Sequence, residues 1–246
     1  MLQRIKDAID ARFLGYLAAT PDGRAYLINA LTDAEEADEQ GAFDRLVADV
    51  DDPTLNKVVR THRDDETRHG ELMTECLRRN GYARVPNPAH LRIVPYIARA
   101  LGDGDGDAYL AGKSGVFESY LFLQVLEERA VTMYPRFAAA LAPYDPQTAA
   151  VVRAVATDEA RHVKYACAVS RRYAPDATTL ATTLAKFRDA EARAFVTHGK
   201  ATIRHVLSAG LVDISFPERV LWRAIASRDS FPASTTAEKR CVSIAA

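Results

Sequence analysis

Asp65-Glu66-Thr67-Arg68-His69 and Asp158-Glu159-Ala160-Arg161-His162 write one pattern, D-E-x-R-H, twice, 93 positions apart. Glu and His at i and i+3 share a helix face, so each copy aims a carboxylate and an imidazole at one spot. Two such helices facing each other supply two His and two carboxylates, half or more of the donor set of a dinuclear metal site in a helix bundle. The chain is thereby constrained to set two helices side by side with their motifs level.

One E-x-x-H on a helix is usually a solvated polar face. Here each copy lies mid-helix among apolar residues: Val58, Val59, Leu72 and Met73 around the first, Val151, Val152, Val155 and Val163 around the second. Buried charges need a metal or partners, because burying them unpaired costs too much.

Ala, Leu, Arg, Glu and Asp dominate, and no segment alternates with period two, so the chain reads as all-α. A first helix is expected over about residues 2–19, ending at the turn Thr20-Pro21-Asp22-Gly23. Helix A is expected over 23–50 and helix B from Pro53 to Asn80-Gly81. A linker over 82–90 leads to a short helix over 91–101. Helix C is expected over 108–142, helix D over 147–173, helix E over 177–210 and a last short helix over 217–228. Two hairpins, A/B and C/D, joined by a long crossover make a ferritin-like four-helix bundle with extra N-terminal and C-terminal helices. Residues 1–228 are read as one domain with its metal-binding core at 23–175, and 229–246 as a disordered tail.

Net charge is -1, which offers nothing to nucleic acid or an anionic membrane. The first residues, MLQRIKDAIDARF, are broken by charge and do not read as a signal peptide. No stretch approaches the roughly 18 apolar residues of a membrane span. Cys76, Cys167 and Cys241 form no CxxC and read as small reduced hydrophobes, so a cytoplasmic location is the default expectation. The Gly-Asp alternation from Gly102 to Asp107 lacks the glycine and glutamate of an EF-hand loop and reads as a solvated turn.

The remaining donors must come from helices A and C, which carry Glu35, Glu36 and Glu39, and Glu127 and Glu128. The 93-residue shift that superposes the motifs also carries Glu35 onto Glu128, each 31 residues before its partner Glu. Glu35 lies on the stripe Ile28, Leu31, Ala42, Leu46, with Glu36 off its centre. Glu39 is on the stripe but outside the repeat, which suits a supporting role. Helix C is apolar all round, so phase does not separate Glu127 from Glu128. The repeat favours Glu35 and Glu128, with Glu36 and Glu127 as the adjacent alternatives. Asp65 and Asp158 are each expected to cross the bundle to the opposite His, and Arg68 and Arg161 to pair with those Asp. His62, one turn before Glu66, is expected either to approach the site behind the ligands or to be a satisfied or half-exposed histidine; its repeat counterpart is Val155. His198 and His205 read as structural. Carboxylates with imidazole suit iron, and suit manganese or a mixed manganese–iron pair as well.

At these residues the chain resembles the soluble diiron-carboxylate proteins of the ferritin-like superfamily: acyl-carrier-protein desaturases, bacterial multicomponent monooxygenases, ribonucleotide reductase small subunits and rubrerythrins. The likeness covers roughly residues 25–175, and Thr67-Arg68-His69-Gly70-Glu71-Leu72 and Glu128-Arg129-Ala130 look most like desaturase segments. It implies two iron ions held by Glu35, Glu66, His69, Glu128, Glu159 and His162, with dioxygen as co-substrate. Ferritins usually carry a single E-x-x-H, and rubrerythrins add a cysteine-ligated iron domain that has no counterpart here. Met73 stands where the reductase subunits place a radical Tyr. Monooxygenases keep a Thr four residues after the helix C Glu; Thr132 has that spacing from Glu128 and is the expected catalytic proton relay.

The expected function is an oxygen-activating diiron oxidoreductase: a hydroxylase, desaturase or oxidase acting on a small-molecule or carrier-bound organic substrate. No flavin, nicotinamide or iron–sulfur motif is visible, which implies an external reductase or ferredoxin. Helix E and the last helix would cover a substrate cavity or form a homodimer interface. The alternative is a ferroxidase or peroxide-scavenging metal protein without organic substrate.

Overall fold

The computed structural model describes residues 2–36, 41–102, 109 and 115–227. Among them are α1 (Leu2–Ala19), α2 (Pro21–Glu35), α3 (Ala42–Asp49), α4 (Pro53–Arg79), α5 (Val94–Leu101), α6 (Gly115–Leu141), α7 (Pro146–Tyr173), α8 (Ala177–Ser208) and α9 (Phe216–Ser227). A 3-10 turn at Ala89–Leu91 precedes α5, and the described residues contain no strand. None of these helices is long and apolar enough to cross a membrane. The expected tail and its Cys241, Glu39 and the Asp-rich turn from Asp103 lie outside the described residues.

Side-chain caps set where the long helices begin. Thr20, Asp52 and Asp145 each accept a backbone N–H from the first turn of α2, α4 and α7, and each is followed by a proline. Proline at that position lacks an N–H that would have no helical acceptor anyway. Asp176 caps α8 in the same way. A Cβ on Gly23 would lie 2.1 Å from the Leu17 carbonyl oxygen, so the close turn from α1 into α2 requires glycine.

The expected single helix A over 23–50 is corrected to two helices, α2 and α3. Gly41 adopts a left-handed φ of 65°, which no right-handed helix passes through, so α3 restarts the chain in a new direction. The consequence is local: Phe43, Leu46 and Val50 fold over the end of α4 and pack with Val59, Tyr120 and Val169.

α2 packs on α4, α6 on α7, and α4 on α7, while α8 runs beside α5 and α6. Apolar clusters lie on two sides of a polar belt. On one side are Leu31, Met73, Val155 and Tyr134, continuous with Phe13, Leu17 and Trp222. On the other are Phe43, Val59, Tyr120, Leu123 and Ala166. Each fully buried large side chain contributes on the order of 1.5–3 kcal/mol, and this flanking burial holds the belt closed.

The α6–α7 turn is tied to the end of α4 by Asp145. Its carboxylate caps Thr148, accepts from Asn80 Nδ2 (2.8 Å) and pairs with Arg79 Nη2 (3.2 Å). Asp145→Ala removes the cap and the carboxylate that joins Arg79 and Asn80 to the α6–α7 turn, while Arg79 keeps Thr148 Oγ1 and Asn80 keeps the Cys76 carbonyl. It is expected to destabilise the protein by about 1–2 kcal/mol, read as a lower urea midpoint with unchanged helix content.

Candidate metal centre

Seven ionisable side chains converge in the belt, contributed by four helices. α2 supplies Glu35, α4 supplies His62, Glu66 and His69, α6 supplies Glu127, and α7 supplies Glu159 and His162. They form two groups of four: His62, Glu66, Glu127 and His162, and Glu35, Glu66, His69 and Glu159. Within each group the donor atoms all lie within 4.8 Å of one another, and Glu66 belongs to both. Donors that share one ion at about 2.1 Å stand roughly 3–4.2 Å apart, so small side-chain adjustments bring each group onto a common ion.

The histidine orientation is that of metal ligands. His69 Nδ1 faces inward, 3.1 Å from Glu35 Oε2 and 3.2 Å from Glu159 Oε1. His162 Nδ1 faces inward, 2.9 Å from Glu66 Oε1 and 3.2 Å from Glu159 Oε2. Their outer Nε2 atoms each lie 3.3 Å from a carboxylate on the opposite helix, His69 from Asp158 Oδ2 and His162 from Asp65 Oδ2. A donated Nε2–H fixes the tautomer, leaving the Nδ1 lone pair for the centre. Arg68 Nη2 donates to Asp65 Oδ1 (2.8 Å) and Asp158 Oδ2 (2.7 Å). Arg161 mirrors it, with Nη2 on Asp65 Oδ2 (2.7 Å) and Nη1 on Asp158 Oδ1 (2.8 Å). The two copies of D-E-x-R-H thus interlock across the α4–α7 contact.

Two buried atoms test whether the set fits a metal: Glu66 Oε1 and Glu159 Oε1 have no hydrogen-bond partner. The two carboxylate oxygens lie 2.9 and 3.2 Å from the Nδ1 atoms of His162 and His69 without hydrogen-bond geometry to them, so donor atoms converge on one space. Hard oxygen and imidazole donors at this density fit a pair of first-row divalent ions.

Without a cation, protons take that role. Burial raises the Glu35 carboxyl to about 8. Burial, with Glu159 opposite, holds Glu127 well above the usual carboxylate range. Burial opposes charge on His69 and His162, but their carboxylate neighbours outweigh it and raise them to about 10 and about 9. Burial lowers His62. Burial also opposes ionisation of Asp65, yet Arg68, Arg161 and His162 hold it well below the carboxylate range.

The structure brings Glu35, Glu66, His69, Glu159 and His162 together, with Asp65, Asp158, Arg68 and Arg161 behind them. It does not bring Glu128. The Glu128 carboxylate turns to α8, where Arg188 Nη2 and Nε donate to it at 2.6 and 2.9 Å. Glu127 takes the inward place. The repeat failed here because the two hairpins have different connections. α3 lies between α2 and α4, whereas a four-residue turn joins α6 to α7, so equal spacing in sequence is not equal height in the bundle. Thr132 follows Glu128: its hydroxyl donates to the Glu128 carbonyl at 3.0 Å, on the face away from the cluster. Tyr134, seven residues after Glu127, is the α6 hydroxyl at the centre, and it donates to Glu35 Oε1. Glu36 points elsewhere, to Arg84 Nη2 at 2.6 Å. His198 donates to the Leu91 carbonyl and His205 packs on Tyr26.

No family model, curated protein or solved structure matches this chain.

Two measurements check the arrangement. Glu127→Gln is expected to weaken metal binding by at least about tenfold, whereas Glu128→Gln leaves metal content unchanged; elemental analysis after dialysis reads both, and the reverse order would restore Glu128 as the donor. Cation binding must also displace protons from groups titrating at about 8, 9 and 10. Affinity therefore rises with pH through that window and levels off above it. Calorimetry in buffers of different ionisation enthalpy should register proton release on loading; none would mean that the donors are already deprotonated.

Proposed function

We propose that the protein is an oxygen-activating oxidoreductase with a dinuclear iron centre in a ferritin-like bundle, taking electrons from an external reductase or ferredoxin. The observation that carries this reading is the pair of four-donor groups joined through Glu66, with both motif histidines locked by carboxylates from the opposite helix. Two iron ions held there would supply reduction of dioxygen, with electrons from the reductase, and oxidation of a C–H or heteroatom bond.

The chain's own residues divide the supporting work. Asp65 and Asp158 hold His162 and His69 in one tautomer, so the inward nitrogens stay available through a change of charge at the centre. Glu66 and Glu159 each reach both histidine-bearing helices, which lets a carboxylate shift between partners without backbone movement. Tyr134 donates a hydrogen bond to Glu35 Oε1, and burial beside Glu35 and Glu159 keeps the proton on its hydroxyl, so it fixes that carboxylate in place. Phe43, Tyr120, Met73 and Val155 exclude water from either side. Arg68 and Arg161, roughly half and two-fifths exposed, end the Asp–His chains at the surface, where a reductase would dock.

The same close packing favours a second reading, a ferroxidase or peroxide scavenger. Met73 and Val155 are fully buried beside the cluster, and an organic substrate must displace such neighbours while iron and oxygen need not.

Anaerobic loading with ferrous ion, then mixing with oxygen, separates these readings. Two irons per chain with oxygen consumption coupled to loss of an added organic substrate supports the oxidoreductase. Rapid oxygen consumption with only ferric product supports the ferroxidase. No iron bound after loading sinks both.

A further inference from the structure

The motif histidines are related by the internal repeat, but His62 is not: the residue 93 positions later is Val155. His62 is nevertheless 0% exposed and belongs to one of the two donor groups. Its ring is wedged between the edge of Phe43, 4.7 Å away, and the ring of His162, 4.0 Å away. Its orientation is opposite to that of the other two. Nε2 points inward, 3.1 Å from Glu127 Oε1 and 3.5 Å from Glu66 Oε1. Nδ1 points outward into packed protein and has no hydrogen-bond partner.

An ordinary core histidine uses its outer nitrogen; this one leaves it unsatisfied, which an apolar residue such as the Val155 counterpart avoids at no loss. What is left to justify an imidazole is the inward Nε2. On the other side of the centre, the place beside Glu35 is taken by the Tyr134 hydroxyl, which bonds that carboxylate and brings no second nitrogen.

We propose, resting on the dinuclear reading, that His62 is a third imidazole ligand that makes the two metal positions inequivalent. The position formed by His62, His162, Glu66 and Glu127 has two nitrogen donors; that formed by His69, Glu35, Glu66 and Glu159 has one. Nitrogen donors favour the later first-row divalent ions over the earlier ones. The His62 position therefore fills first with cobalt, nickel or zinc, and its advantage shrinks with manganese. Having no carboxylate behind Nδ1, His62 is also the least firmly held of the three imidazoles.

The test is a titration of the full-length apo-protein with cobalt(II), followed by visible absorption and by competition with a chromophoric chelator. Two steps separated by at least about tenfold are expected in the wild type. His62→Val and His62→Gln should weaken the tighter step by at least about tenfold and leave the weaker one in place. His69→Ala should remove the weaker step and keep the tighter. In the fully cobalt-loaded wild type, proton NMR in water should resolve three paramagnetically shifted, exchangeable imidazole N–H signals. That readout needs no variant to fold. Two signals, or two binding constants that ignore both His62 substitutions, would overturn the inequivalence while leaving the dinuclear centre intact. A wild type that binds no cobalt overturns the dinuclear reading itself.

Discussion

Seven acidic and imidazole groups packed within a few ångströms, with apolar layers on two sides, form the constraint on which the rest of this protein depends. Carboxylates confronting one another at low dielectric cannot all remain charged. Either protons or cations must enter, and the raised affinity of Glu35 and Glu127 for protons is the signature of that demand. An interior fit only for holding protons would be better filled by hydrocarbon of the same volume. The two donor groups are of the kind that could hold metal ions.

The scaffold answers this demand by interlocking its two halves. Each D-E-x-R-H copy contributes one donor pair to the centre and one Asp–Arg pair to the other copy. The four charged residues behind the histidines form a closed ring across the α4–α7 contact. The ring is partly exposed, so its net stabilisation is modest. Its effect is geometric: it holds two helices at one height and two imidazoles in one tautomer. Donors carried on helices, rather than on loops, are held rigidly.

The symmetry is incomplete in a useful way. The repeat dictates the two motifs, but Glu35 is partnered by Tyr134, whereas Glu127 is partnered by His62. A hydroxyl on one side and an imidazole on the other give the two halves different donor atoms within one bundle.

The sequence by itself determined the helix content, the start of α4 at Pro53 and the presence of a buried polar belt. These follow from local rules: 3.6-residue periodicity, the missing N–H of Pro53, and the burial cost that makes two such charged motifs in apolar helices improbable without a partner; Pro21, read as part of a turn, in fact opens α2. It also determined the crossing of Asp65 and Asp158 to the opposite histidines, because i and i+3 geometry admits few alternatives once α4 and α7 face each other. Only the tertiary structure decided between Glu127 and Glu128, since α6 is apolar on every side and its rotation is set by α7, α8 and the Arg188–Glu128 pair. The role of His62 was only partly legible: its spacing one turn before Glu66 brings it near the site, but only the packing turns its Nε2 onto Glu127, under the cover of Phe43. The break at Gly41, which makes that cover possible, is a left-handed backbone turn, and a lone glycine in a helical stretch does not announce one. Periodicity tells a residue which face of its own helix it occupies; which neighbour that face meets is settled only when the helices are packed.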